Sequence, residues 1–141
     1  MSSLGTTITM NFEAHGNINF IIKNSCVINR PNEGFNKEGV DILFDNILTY
    51  VKKKNLSQWV LVESLGKFAF PTPDALVSLA RKYKISSEFG CVKIYAVCSS
   101  NAQKKFIIDA ASIANIELSF CETEENALAA CEKYLVKEYV V

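Results

Sequence analysis

Apolar and polar positions alternate along the first part of the chain, then change period. Ile8, Met10 and Phe12 are spaced two apart, and so are Ile18, Phe20 and Ile22. That period marks half-buried strands, because successive side chains leave opposite faces. Between the runs, Ala14-His15-Gly16-Asn17 offers the glycine and asparagine that a hairpin turn prefers. A third short strand, Cys26-Val27-Ile28, ends near Pro31.

The period then becomes helical. Val40, Leu43, Phe44, Ile47, Leu48 and Val51 form one apolar stripe, with Asn36 as the expected N-cap. Trp59-Val60-Leu61-Val62 is apolar on both faces, as a central parallel strand requires. A second helix carries Leu76, Leu79, Ala80 and Tyr83. Val92, Ile94, Ala96 and Val97 form another buried strand. A third helix is expected to turn Phe106, Ala110, Ile113 and Ala114 inward. Ile116, Leu118 and Phe120 then alternate as an edge strand. Thr123 can cap a last helix with Ala127, Cys131, Tyr134 and Leu135 on one face.

These elements predict an α/β fold. Its mixed sheet starts with an antiparallel hairpin and continues as four strand–helix units joined by right-handed crossovers. No linker, repeat or low-complexity stretch divides residues 1–141, so one domain is expected, with the first five residues frayed.

One junction stands out. Trp59-Val60-Leu61-Val62-Glu63-Ser64 leads through Leu65-Gly66-Lys67-Phe68-Ala69-Phe70 into Pro71-Thr72-Pro73-Asp74-Ala75, where a helix starts abruptly. Carboxyl ends of strands are where α/β domains meet ligands and partners. This junction, the order of elements and the Gly34-Phe35-Asn36 lead into the first helix together resemble the SpoIIAA-like superfamily over about residues 6–136. That superfamily includes STAS domains, such as anti-sigma-factor antagonists, and lipid-carrying SEC14 domains. The likeness is strongest to small bacterial single-domain members of unassigned function. STAS antagonists carry an Asp-Ser-Ser/Thr-Gly signature here, whose serine a partner kinase phosphorylates. This chain has Phe70-Pro71-Thr72-Pro73 instead, so the resemblance implies the fold without the phosphorylation signature.

Composition narrows the function classes. At 141 residues the chain can bury roughly two-thirds of its unfolded surface. Acidic and basic residues balance at 15 each, leaving no excess to hold a nucleic-acid backbone. Lys52-Lys53-Lys54 sits where positive charge offsets a helix C-terminus. No leader-like segment and no membrane-length apolar run is evident, so a cytoplasmic protein is expected. Five cysteines without a C-x-x-C pair suggest a reducing compartment, with neither a disulfide framework nor a zinc knuckle. The single histidine, His15, excludes a His-rich metal site and reads as a solvated turn residue. No cofactor is implied.

The candidate site residues gather at the junction. Phe68, Phe70 and Pro71 make a loop apolar for its position, readable either as a partner-binding patch or as rings tucked over the core. Thr72 reads as a helix cap or as a hydroxyl open to phosphorylation; Asp74 reads as a first-turn charge. Glu63 and Ser64 end the central strand, but no second carboxylate or histidine accompanies them for acid–base chemistry. Cys98, before Ser99-Ser100-Asn101, is the best nucleophile candidate but lacks a base; a buried cysteine followed by a Ser100 or Asn101 cap is the better account.

The expected function is therefore non-enzymatic: a protein-interaction or regulatory module resembling STAS antagonists, binding a partner through Phe68, Phe70, Pro71, Thr72 and Asp74 and the face of the second helix. Pairing of two copies along the N-terminal sheet edge would give a homodimer. The alternative is a small apolar-ligand or lipid binder resembling SEC14 domains, although those are longer and carry gating helices.

Overall fold

The computed structural model describes residues 6–12, 16–31, 34 and 36–139, with side chains placed for 20–31, 34 and 36–135. His15, Phe35 and the first five residues lie outside that set.

Three strands come first: β1 (Thr6–Phe12), β2 (Gly16–Lys23) and β3 (Cys26–Pro31). Then follow α1 (Lys37–Lys53), β4 (Trp59–Ser64), α2 (Ala75–Glu88), β5 (Cys91–Val97), α3 (Asn101–Ala114), β6 (Leu118–Phe120) and α4 (Glu124–Tyr139). The sheet runs β1-β2-β3-β4-β5-β6. Its first two pairings are antiparallel and the rest parallel. This is the α/β layout expected from the periodicity.

Because the parallel strands follow one another in sequence order, crossovers of one hand must put α1, α2 and α3 on one face. The core bears this out. Val40, Phe44 and Ile47 of α1, Leu79 and Tyr83 of α2, and Ile107 and Ala110 of α3 pack with Phe20, Val27, Trp59, Leu61 and Ile94. On the opposite face, Ala127, Cys131 and Leu135 of α4 cover Cys26, Ile28, Val60 and Val62. The strand alternation thus divides β3 and β4 between two cores: Val27 and Leu61 face one, Ile28 and Val62 the other. The buried indole of Trp59 donates from Nε1 to the Phe89 carbonyl at 2.9 Å, so its polar atom is satisfied.

Local chemistry sets the element ends. Asn36 caps α1 by accepting from Gly39 N at 3.0 Å. Ser100 caps α3 by accepting from Gln103 N at 3.2 Å, and Thr123 caps α4 through Asn126 N at 3.0 Å. Asn115 ends α3 in the left-handed region at φ 57°, which asparagine tolerates. Gly90, at φ +102°, lies so close to Ser57 that a Cβ would stand 2.4 Å from its carbonyl oxygen.

Two expectations need correction. Ile113 was expected to point inward, but it is 64% exposed; α3 buries Gln103, Ile107, Ala110, Ala111 and Ala114 instead. Ile107, Ala110, Ala111 and Ala114 fall at i, i+3, i+4 and i+7 and form the buried stripe, with Gln103 one turn before it on the same face and Ile113 off it. Second, Cys26 on β3 and Cys131 on α4 form a disulfide, with Cα atoms 6.6 Å apart. Spacing gave no sign of it, because the partners are 105 residues apart and meet only when α4 crosses back over β3.

Candidate functional site

The junction after β4 crosses the carboxyl edge of the sheet as a loop tied down by its own backbone. Leu65 N donates to the Val97 carbonyl at 2.9 Å and Gly66 N to the Pro31 carbonyl at 3.0 Å. Those bonds fasten the start of the loop to the ends of β5 and β3. Ser99 Oγ adds a bond to the Leu65 carbonyl at 3.2 Å.

Gln103 holds the rest. Its buried side chain donates from Nε2 to the carbonyls of Gly66 at 2.9 Å and Ala69 at 3.0 Å. Its Oε1 accepts from Ser99 N at 2.7 Å. All of the amide's heavy atoms are thus used, as burial of a polar group demands. With Leu65 and Ala69 drawn inward, Lys67 and Phe68 between them and Phe70 just after turn out. Phe68 is 67% exposed and Phe70 52% exposed. Rings tucked over the core are therefore not what forms: with Ala69 fully buried, the neighbouring side chains on either side are left in solvent.

Thr72 and Asp74 also differ from expectation. Asp74 is the residue before α2, and it makes no side-chain capping bond. Thr72 does not cap the helix; its hydroxyl donates to the Asp74 carboxylate, while the Thr72 carbonyl accepts from Ala75 N at 3.0 Å. The two side chains satisfy each other at the exposed start of α2, leaving the Thr72 hydroxyl beside a negative charge.

Beneath this edge lies a buried polar cluster. Asn29 pairs with Glu63 in the parallel register of β3 and β4. Asn29 Nδ2 donates to Glu63 Oε1 at 2.7 Å, and Tyr83 Oη donates to Glu63 Oε2 at 2.5 Å. Burial pushes the Glu63 carboxyl above its ordinary range, and the bonds from Tyr83 and Asn29 only partly offset it. Burial, then the Glu63 charge, pushes the Tyr83 phenol well up. Asn29 Oδ1 is buried with no partner. Asn29 and Glu63 border a cavity of about 10 Å³ lined also by Pro31, Val40, Leu43, Phe44 and Leu79. That is room for a single water, which could donate to the orphaned oxygen.

The other candidates resolve simply. Burial, with the Glu63 charge nearby, pushes the Cys98 thiol up to about 11, the reverse of an activated nucleophile. Ser64 helps Arg30 hold the Glu124 carboxyl below its usual range; the Arg30 bond is the larger cause. Arg30 meets Glu124 through two bonds, Nε to Oε1 at 2.8 Å and Nη2 to Oε2 at 2.5 Å, which anchor the start of α4 to β3. Among the described residues, no group of three His, Cys, Asp or Glu side chains could hold a metal, and no helix is long and apolar enough to cross a membrane.

Sequence reasoning missed Gln103, Asn29 and Tyr83. The signal for Gln103 was the Ser100-Asn101-Ala102-Gln103 spacing of a capping box. Here the glutamine reaches one residue past the cap to Ser99 and across to the loop. For the cluster, the signals were a glutamate closing an apolar strand and an asparagine after Ile28.

A scan of the chain against protein-family models finds no match, and a comparison with curated proteins finds none either.

Proposed function

We propose that this chain is a non-enzymatic protein-interaction module whose contact surface centres on Phe68 and Phe70. The observation that carries the reading is the use of a buried Gln103 to fix the loop that displays them. Aromatic side chains on a backbone held in place lose little entropy on binding, which is why they dominate interface energetics. Pro71, Thr72 and Asp74 extend the surface to the start of α2. In this reading the protein regulates or scaffolds its partner, as its resemblance to STAS antagonists suggests, without their phosphorylation signature. Thr72 remains a candidate for modification: its hydroxyl is exposed, and a phosphate there would displace the bond to Asp74 and repel it.

The apolar-ligand reading draws on the cavity lined by Val40, Leu43, Phe44 and Leu79. At about 10 Å³ it would require α1 and α2 to part before a lipid could enter. A cytoplasmic setting would keep Cys26 and Cys131 as thiols; an oxidising one would join them.

The test is capture of partners from lysate of the native cell by immobilised wild type and by a Phe68→Ser/Phe70→Ser double variant. The reading expects specific partners to be lost from the variant, with its thermal unfolding unchanged. An identical set of partners on both proteins would remove the loop as the interface.

A further inference from the structure

α2 and α3 leave an open groove on the outer surface of their helical layer. Its floor is Ala80 and Ala114, both buried. Its walls are Val77, 60% exposed, and Ile113, 64% exposed. Arg81 and Lys84 form its rim. Val77, Ala80, Arg81 and Lys84 fall at i, i+3, i+4 and i+7, one stripe along α2. Small residues beneath larger apolar walls make a hole that accepts the knobs of another helix. The groove encloses about 270 Å³ and opens widely to solvent, below the range of enclosed small-molecule sites, so side chains of a partner fit it better than a free ligand.

Charge selects the partner. Lys82, on the neighbouring stripe, is paired with Asp45 at 2.8 Å. Arg81 and Lys84 make no ion pair among the described residues. The lining of the groove carries no carboxylate, so a second copy meeting it groove to groove brings none to Arg81 and Lys84, which disfavours a symmetric dimer on this face. We infer that the α2–α3 groove docks an amphipathic helix of another protein, seating large apolar residues over Ala80 and Ala114 and turning Asp or Glu side chains toward Arg81 and Lys84. The inference rests on the interaction-module reading and names the chemistry of the partner, at a groove whose lining residues do not include Phe68 or Phe70.

The test uses the full chain labelled with ¹⁵N and two synthetic amphipathic peptides. Both carry leucine at i, i+3 and i+7; one is flanked by glutamates, the other by lysines. Amide shifts from the glutamate peptide should map to residues 77–84 and 110–114. The lysine peptide should bind at least five-fold more weakly, and an Arg81→Glu/Lys84→Glu variant should reverse that order. Both substitutions lie on the solvent face, and an Ile113→Ser variant, which spares the charges, should weaken both peptides. Equal affinity of the two peptides, no binding, shifts confined to the Phe68–Phe70 loop, or groove shifts that grow with protein concentration alone would each overturn the inference. Because the peptides report on the groove and the Phe68/Phe70 variant on the loop, either surface can fail without the other.

Discussion

Replacing Gln103 with leucine removes three hydrogen bonds while keeping most of the side-chain volume. The bonds are those to the carbonyls of Gly66 and Ala69 and from Ser99 N. A typical protein hydrogen bond contributes about 1 kcal/mol net. Ser99 is exposed and its N–H can recover water, so that loss is the smallest. Ala69 is buried, so its carbonyl loses its Gln103 partner away from solvent, at about 1–3 kcal/mol. Burying leucine in place of an amide returns part of this. The expected net destabilisation is about 2–3 kcal/mol. With a urea m-value of about 2 kcal/mol/M, the unfolding midpoint should fall by about 1 M or slightly more. The Ser100 cap is untouched, because it receives the backbone N–H of Gln103. Hydrogen exchange gives the sharper readout: protection of the Ala69 and Phe70 amides should fall by more than that of α3. A Gln103→Glu variant should do worse than leucine, since a carboxylate would face two carbonyl oxygens. A loss below about 0.5 kcal/mol with unchanged exchange in the loop would refute the claim that Gln103 pins it.

Glu63 makes a pH signature opposite to that of most carboxylates. Its proton is held more tightly in the folded state than in the unfolded chain, so its contribution favours folding at low pH and is lost as pH rises from about 4.5 through the raised folded value. A Glu63→Gln variant should therefore gain stability relative to wild type as pH rises, measured by denaturant unfolding at pH 5, 7 and 8; parallel curves would contradict the burial argument. Glu124 has the other sign: held low by Arg30, it supports folding above its unfolded value and loses that support as pH falls, so both proteins should retain an acid limb. Thiol titration of the oxidised, denatured protein should find three thiols, rising to five on reduction, because Cys26 and Cys131 are joined. Reduction should cost about 2–4 kcal/mol, the usual range for a bridge closing a long loop; five thiols in protein handled under oxidising conditions would show that the bond does not form.

Much of the fold was legible because each buried face left a period in the chain. The twin periods of β1–β3 and the helical stripe of α1 needed no tertiary information. Asn36, Ser100 and Thr123 signalled helix starts because their chemistry is local. The candidate site was legible only in outline. The junction after β4 located the carboxyl edge, yet whether Phe68 and Phe70 point outward depends on Gln103, 33 or more residues away, and no local pattern encodes that. Ile113 was misplaced because two apolar stripes overlap on α3, and the one through Ile107, Ala110, Ala111 and Ala114 is the one that is buried. The Asn29–Glu63–Tyr83 cluster depends on a strand register and a helix packing at once. The disulfide joins the first parallel strand to the last helix, and a pairing over that span is set by topology alone.

The central claim is that Phe68 and Phe70, held outward by a pinned loop, make the partner contact. It is tested most directly by placing a photo-crosslinking phenylalanine analogue at position 68, 70 or 42 and irradiating in the native cell. Ile42 lies on α1 and is 40% exposed, so it controls for a chance apolar surface. The account predicts a discrete crosslinked species from positions 68 and 70, absent at 42 and weakened by Gln103→Leu. Crosslinks of equal pattern from all three positions, or none from 68 and 70 alone, would contradict it.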